Sequence, residues 1–121
     1  VRRLLAVSVV AVVAVVVFAG CSSGPAQTRP PDAVYVSATG IVFQQAQVEA
    51  PANRPFQLYF ENFETVPHNV NVADGTGASV ARGEVFTGPS GQTLQMPALA
   101  AGTYKLLCDV HPEMRAELVA N

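Results

Sequence analysis

At 121 residues the chain has room for one domain and not two. Seven Lys and Arg stand against nine Asp and Glu with no basic patch, which excludes a nucleic-acid partner as the working expectation. The hydrophobic content of 50% conceals an asymmetry, because the first twenty residues are nearly all apolar and the remainder has an ordinary composition.

Arg2 and Arg3 give a short positive start, and Leu4 to Ala19 then runs without a charge. That run is shorter than the roughly 20 residues a spanning helix needs. A basic start, a short apolar centre and small residues at its end describe an export signal. It closes on Phe18-Ala19-Gly20-Cys21, which resembles the lipobox of bacterial lipoproteins, where the Cys is acylated and becomes the mature N-terminus. Phe18 stands where Leu is usual, and a plain secretory signal with a chance Cys is the alternative. The lipobox resemblance makes residues 1–20 a signal peptide and Cys21 the lipidation site. Two acyl chains there meet the condition for stable membrane anchoring, which one chain does not. The paired arginines leave Sec and twin-arginine export both open. A chain that opens on Val suggests a GTG start codon or a missing first residue.

Residues 21–32, rich in Ser, Gly and Pro with no apolar periodicity, are expected to form a flexible linker. Without Arg2 and Arg3, five basic residues face nine acidic ones, a net charge of −4. From Ala33 to Asn121 the sequence predicts a single β domain. Short β-type runs occur at Val34–Val36, Ile41–Phe43, Phe56–Phe60, Val70–Val72, Val85–Thr87, Thr93–Met96, Tyr104–Leu107 and Met114–Val119. Turn clusters separate them, among them Asp74-Gly75-Thr76-Gly77 and Gly88-Pro89-Ser90-Gly91. Seven or eight such strands imply a β-sandwich.

Polar chemistry is concentrated in two places. The chain has two cysteines and two methionines, and its only histidines are His68 and His111. With Cys21 taken by the lipobox, Cys108 stands alone, and it shares the stretch Cys108-Asp109-Val110-His111-Pro112-Glu113-Met114 with a histidine and a methionine. A Cys21–Cys108 disulfide is the structural alternative, which acylation of Cys21 forbids. Strand alternation sets His68 in phase with Val70 and Val72, facing inward, and turns Asn69 and Asn71 outward. It also places Cys108 with Tyr104 and Leu106, and Met114 with Ala116 and Leu118. Singly, an inward His or a terminal-strand Met is more often ordinary packing. An unpaired thiol in an exported protein is an oxidation liability that asks for a role. Together, a thiolate, two imidazoles and a thioether match a His₂Cys trigonal site with a weak axial Met, which favours copper. Structural zinc prefers four strong ligands, and calcium and magnesium want oxygen.

The segment from about Ile41 to Val119 resembles a cupredoxin, the single-domain blue-copper fold of plastocyanin and amicyanin. Phe60-Glu61-Asn62 followed by Pro67-His68-Asn69-Val70 resembles the family's first histidine stretch. Ala101-Gly102-Thr103-Tyr104 leading to Cys108 resembles the strand that enters the ligand loop. The C-x₂-H-x₂-M spacing of Cys108, His111 and Met114 is the compact amicyanin version. This resemblance implies a Greek-key β-sandwich and one type 1 copper ion held by His68, Cys108, His111 and Met114. It also implies that Asn69 steadies the ligand loop near the cysteine sulfur. The expected activity is single-electron transfer with redox partner proteins of an extracytoplasmic chain, from a domain lipid-anchored to a bacterial cell membrane. Catalysis is not expected, since two histidines cannot supply further copper centres. The alternatives are a copper-delivery lipoprotein and an accessory subunit of a metal-uptake or oxidase complex. Asp109 and Glu113 are expected either to favour a basic partner face or to be ordinary solvated loop charges.

Overall fold

The computed structural model describes residues 27–121. The expected signal peptide, Cys21 and the first part of the linker lie outside the described residues. Within them the chain is all β: β1 (Val34–Thr39), β2 (Val42–Phe43), β3 (Gln47–Ala50), β4 (Phe56–Asn62), β5 (Asn71–Ala73), β6 (Ser79–Arg82), β7 (Ser90–Met96), β8 (Gly102–Leu107) and β9 (Arg115–Ala120). Two mixed sheets result, one ordered β2-β1-β4-β7 and the other β3-β9-β8-β5-β6. The pairs β1–β4 and β3–β9 are parallel and the rest antiparallel. The chain changes sheet at β2–β3, β3–β4, β4–β5, β6–β7 and β7–β8, which gives the expected β-sandwich.

Alternation along the strands places the core. Val36 and Ala38 of β1, Leu58 and Phe60 of β4 and Leu94 and Met96 of β7 face Val72, Leu106, Ala116 and Leu118 of the other sheet. Phe60 is fully buried and meets Phe43 and Phe86 edge-on, with centroids 6.0 and 5.7 Å apart. Such pairs add about 0.5–1.5 kcal/mol beyond their area. On the opposite face of the first sheet Tyr35 stacks on Tyr59, and the Arg29 guanidinium lies 4.2 Å from the Tyr35 ring centre. Tyr59 Oη donates to the Gln27 carbonyl at 2.7 Å, and the Thr93 amide donates to Gln27 Oε1 at 2.9 Å. The end of the expected linker is thus laid on the sheet.

The strands differ from expectation in three places. β3 and β6 have no apolar run, because β3 lies at a sheet edge beside β9 and β6 at the other edge beside β5. Val85–Thr87 is not a strand: Phe86 forms a single bridge, to His68. Nine strands therefore stand where seven or eight were expected.

The topology brings the two polar stretches to one end. β5 and β8 are neighbours with Asn71 opposite Leu107, so His68 and Cys108 emerge side by side. The last β8–β9 pair is Leu107 with Arg115, which makes Cys108–Met114 the loop of a hairpin.

Candidate metal centre

His68 is fully buried, and its backbone is held by paired bonds with Phe86: His68 N–H donates to Phe86 O at 3.1 Å and Phe86 N–H to His68 O at 3.0 Å. Cys108 follows β8 on its inward face and is 4% exposed. A turn then brings His111 back, closed by the Met114 amide donating to His111 O at 2.9 Å. His111 is half-buried, and Met114 is buried at the entry to β9.

The donor atoms converge. His68 Nδ1 and His111 Nδ1 are 3.1 Å apart, and Cys108 Sγ lies 3.9 Å from the first and 3.8 Å from the second. The point equidistant from all three lies in their plane at about 2.1 Å. That matches metal–imidazole bonds of about 2.0–2.1 Å and falls just short of a metal–thiolate bond of about 2.3 Å. Two imidazole nitrogens and one thiolate at this spacing would hold a metal ion, and the mixed soft and borderline donor set fits the His₂Cys group of a copper site, whereas structural zinc prefers four strong ligands. Among the described residues these three form the one group of His, Cys, Asp or Glu side chains gathered closely enough to hold a metal.

Hydrogen bonds around the triangle orient it. His68 Nε2 lies 2.6 Å from Glu64 Oε1. A carboxylate only accepts, so Nε2 carries the ring proton and the Nδ1 lone pair faces the triangle. The Glu64 carboxyl is one-fifth exposed and is held below its ordinary range, first by the Ile41 amide and then by His68. Asn62 is fully buried; its Nδ2 donates to Val66 O at 2.9 Å and Phe86 O at 3.0 Å, and its Oδ1 accepts from the Glu64 amide at 3.0 Å. It fixes the turn that carries Glu64 toward His68.

Asn69 and Asn71 are buried, contrary to their expected outward orientation. The side of the strand they share is covered by the ligand loop and β6, so strand alternation there separates apolar core from polar core and not core from water. Asn69 Oδ1 accepts from the Asp109 amide at 2.9 Å, and its Nδ2 donates to Asp109 Oδ2 at 2.7 Å and Gly83 O at 3.0 Å. Asn71 Nδ2 donates to Asp109 Oδ1 at 3.1 Å, and Ser79 Oγ donates to Asn71 Oδ1 at 2.7 Å. Asp109 is thereby turned back onto the domain, with Arg82 Nε 3.4 Å from Oδ2. No buried side-chain N or O among the described residues lacks a partner.

The chain matches the family model of the cupredoxin-like domain over residues 9–120. It belongs to the cupredoxin-like family. This cupredoxin is 32% identical over 91 residues to amicyanin of Paracoccus versutus, a match covering 74% of this chain and 66% of that one, just under two thirds of its length. It is 30% identical over 96 residues to amicyanin-alpha of Methylorubrum extorquens, covering 77% and 76%. The crystal structure of the Paracoccus versutus amicyanin superposes with a TM-score of 0.61 at 28% identity, over 77% of this chain and 85% of that one. Auracyanin from Roseiflexus castenholzii superposes with a TM-score of 0.64 at 15% identity, over 72% and 94%, a likeness of fold alone.

Asn62, Glu64 and Asn71 of this cupredoxin were not evident as functional residues from the sequence. Glu64 left a trace in its spacing, four residues before an inward histidine. Asn71 left one in a polar residue alternating with core valines. Asn62 was legible only as part of the family resemblance.

Proposed function

We propose that this cupredoxin is an extracytoplasmic electron-transfer protein that uses one mononuclear type 1 copper, tethered to the membrane through Cys21. The observation that carries the reading is the triangle of His68 Nδ1, His111 Nδ1 and Cys108 Sγ; Met114, buried at the entry to β9, would supply the weak fourth ligand. Copper bound there supplies a one-electron Cu(I)/Cu(II) couple. The residues supply rigidity. Glu64 and the bridge to Phe86 fix His68, and Asn69 fixes the Asp109 end of the ligand loop, so the donors keep one geometry in both oxidation states. Met114 and the apolar shell tune the potential.

Half-buried His111 lies nearest the surface and gives the electron its exit. The large exposed hydrophobics among the described residues are Ile41, Val42, Phe63, Val85 and Val110, and four of them adjoin residues at or around the site. Ile41 bonds Glu64, Phe63 precedes Glu64, Val85 precedes Phe86 and Val110 precedes His111. An apolar rim of this kind suits brief docking of redox partners. Because Asp109 is engaged by Asn69, Asn71 and Arg82, Glu113 is the loop's free charge for partner choice. Both histidines serve this one site, which leaves none for a second copper centre.

The test is copper loading of the purified chain. A strong thiolate-to-copper band that disappears in Cys108→Ser, with copper retained in the presence of an apo-acceptor, supports electron transfer. A colourless Cu(II) complex, or ready loss of copper to the acceptor, overturns it in favour of delivery.

A further inference from the structure

The hairpin turn between β1 and β2 contains a backbone conformation that its sequence does not favour. Gly40 and Ile41 both have positive φ, 65° and 59°. Gly40 adopts this freely, and a Cβ there meets nothing within 4 Å. For Ile41, β-branched and 37% exposed, it is a true outlier, and such strain persists only where surrounding contacts over-determine it. One side chain supplies those contacts. Glu64 Oε2 accepts from the Gly40 amide at 3.0 Å, and Glu64 Oε1 accepts from the Ile41 amide at 3.0 Å. The same Oε1 accepts a hydrogen bond from His68 Nε2–H at 2.6 Å.

We propose that Glu64 is a positioning residue that ties the strained Gly40–Ile41 turn to His68. Its carboxylate sets the tautomer and ring angle of the buried ligand and leaves it sensitive to contacts on the apolar turn. Three donors converge on one carboxylate whose own backbone is anchored: the Glu64 amide by Asn62 Oδ1, and the Glu64 carbonyl by the Gly88 amide at 2.7 Å. Few rotamers satisfy all of these at once, so the carboxylate has little freedom to follow the ring. A carboxylate on the far nitrogen of a ligating imidazole raises the basicity of the near one and favours the more positive metal state. The inference rests on the copper reading for its redox part and on geometry alone for the turn.

The experiment uses the full chain, metal-free and copper-loaded, with Glu64→Gln and Glu64→Asp. In metal-free protein, amide exchange at Gly40 and Ile41 is expected to be protected in the parent and at least tenfold faster in Glu64→Gln. In copper-loaded protein, Glu64→Gln is expected to raise the midpoint potential by a tenfold change in the reduced-to-oxidised ratio or more, about 59 mV for one electron. Glu64→Asp keeps the charge on a shorter arm and is expected to restore neither value. Unprotected turn amides in the parent overturn the inference even if the variants fail to fold. So does an unchanged potential in a folded Glu64→Gln, or full rescue by Asp. A parent that takes up copper without a blue band refutes the copper reading instead, and the exchange measurement still decides the turn.

Discussion

Asn69 offers the sharpest quantitative test of how the ligand loop is held. Truncation to Ala removes three hydrogen bonds at a position 1% exposed to solvent. The Gly83 carbonyl is buried and loses its donor, which costs about 1–2 kcal/mol. The Asp109 amide loses its acceptor, at about 1 kcal/mol. The Asp109 carboxylate suffers least, because its side chain is 33% exposed and keeps Asn71 and Arg82, so this bond counts for only about 0.5 kcal/mol. Asn69→Ala is therefore expected to lower the stability of the metal-free domain by about 3 kcal/mol, or roughly 12–24 °C in Tm for a domain of this size. Denaturant unfolding with an unchanged m-value is the assay. Asn69→Asp is expected to be at least as harmful at neutral pH, since it sets a second carboxylate against Asp109. A loss under about 0.5 kcal/mol in Asn69→Ala refutes the reasoning, because it means that the loop is held without this side chain.

Two further predictions concern the loop packed against Asn62 and the turn between β5 and β6. Gly88→Ala sets a Cβ against the backbone carbonyl of Asn62 and 2.9 Å from Glu64 O, atoms with no side-chain freedom to yield. It is expected to cost about 1–3 kcal/mol, read by thermal unfolding, and a neutral result shows that this loop can shift. Asp74 Oδ1 accepts from Thr76 Oγ1 at 2.6 Å, Thr76 N at 2.9 Å and Ala78 N at 3.0 Å, and these bonds, led by the Thr76 hydroxyl, hold its carboxyl below its ordinary 3.8. A depressed carboxyl stabilises the fold above its unfolded pKa and loses that contribution as pH falls through the folded one. The stability difference between parent and Asp74→Ala is thus expected to be level from pH 5 to 7 and to shrink on acidification below about 3.8. A difference that grows toward acid contradicts the assignment.

What was legible in the sequence follows from how each residue is used. His68, Cys108 and Met114 fell on core faces by simple alternation, and the structure buries all three. The strands that became β8 and β9 were plain because Leu106, Ala116 and Leu118 keep one face apolar. β3 and β6 escaped notice because short edge strands need only one covered side, and residues such as Gln47, Glu49 and Arg82 are free to be polar. Phe86 drew Val85–Thr87 into a false strand, since it packs on Phe60 and bridges His68 without continuing a ladder. Asn69 and Asn71 failed the rule that polar means outward, because their partners come from residues about 40 positions away. Glu64 has the same cause: its role depends on a turn more than 20 residues earlier, a proximity only the folded chain creates.

In the proposed function His68, Cys108, His111 and Met114 hold one type 1 copper that exchanges electrons. A visible spectrum followed through a redox titration of the copper-loaded chain tests it most directly. The expected result is an intense blue thiolate-to-copper band that bleaches and returns reversibly as a single one-electron wave. A colourless oxidised complex, or a band that does not track the potential, contradicts it.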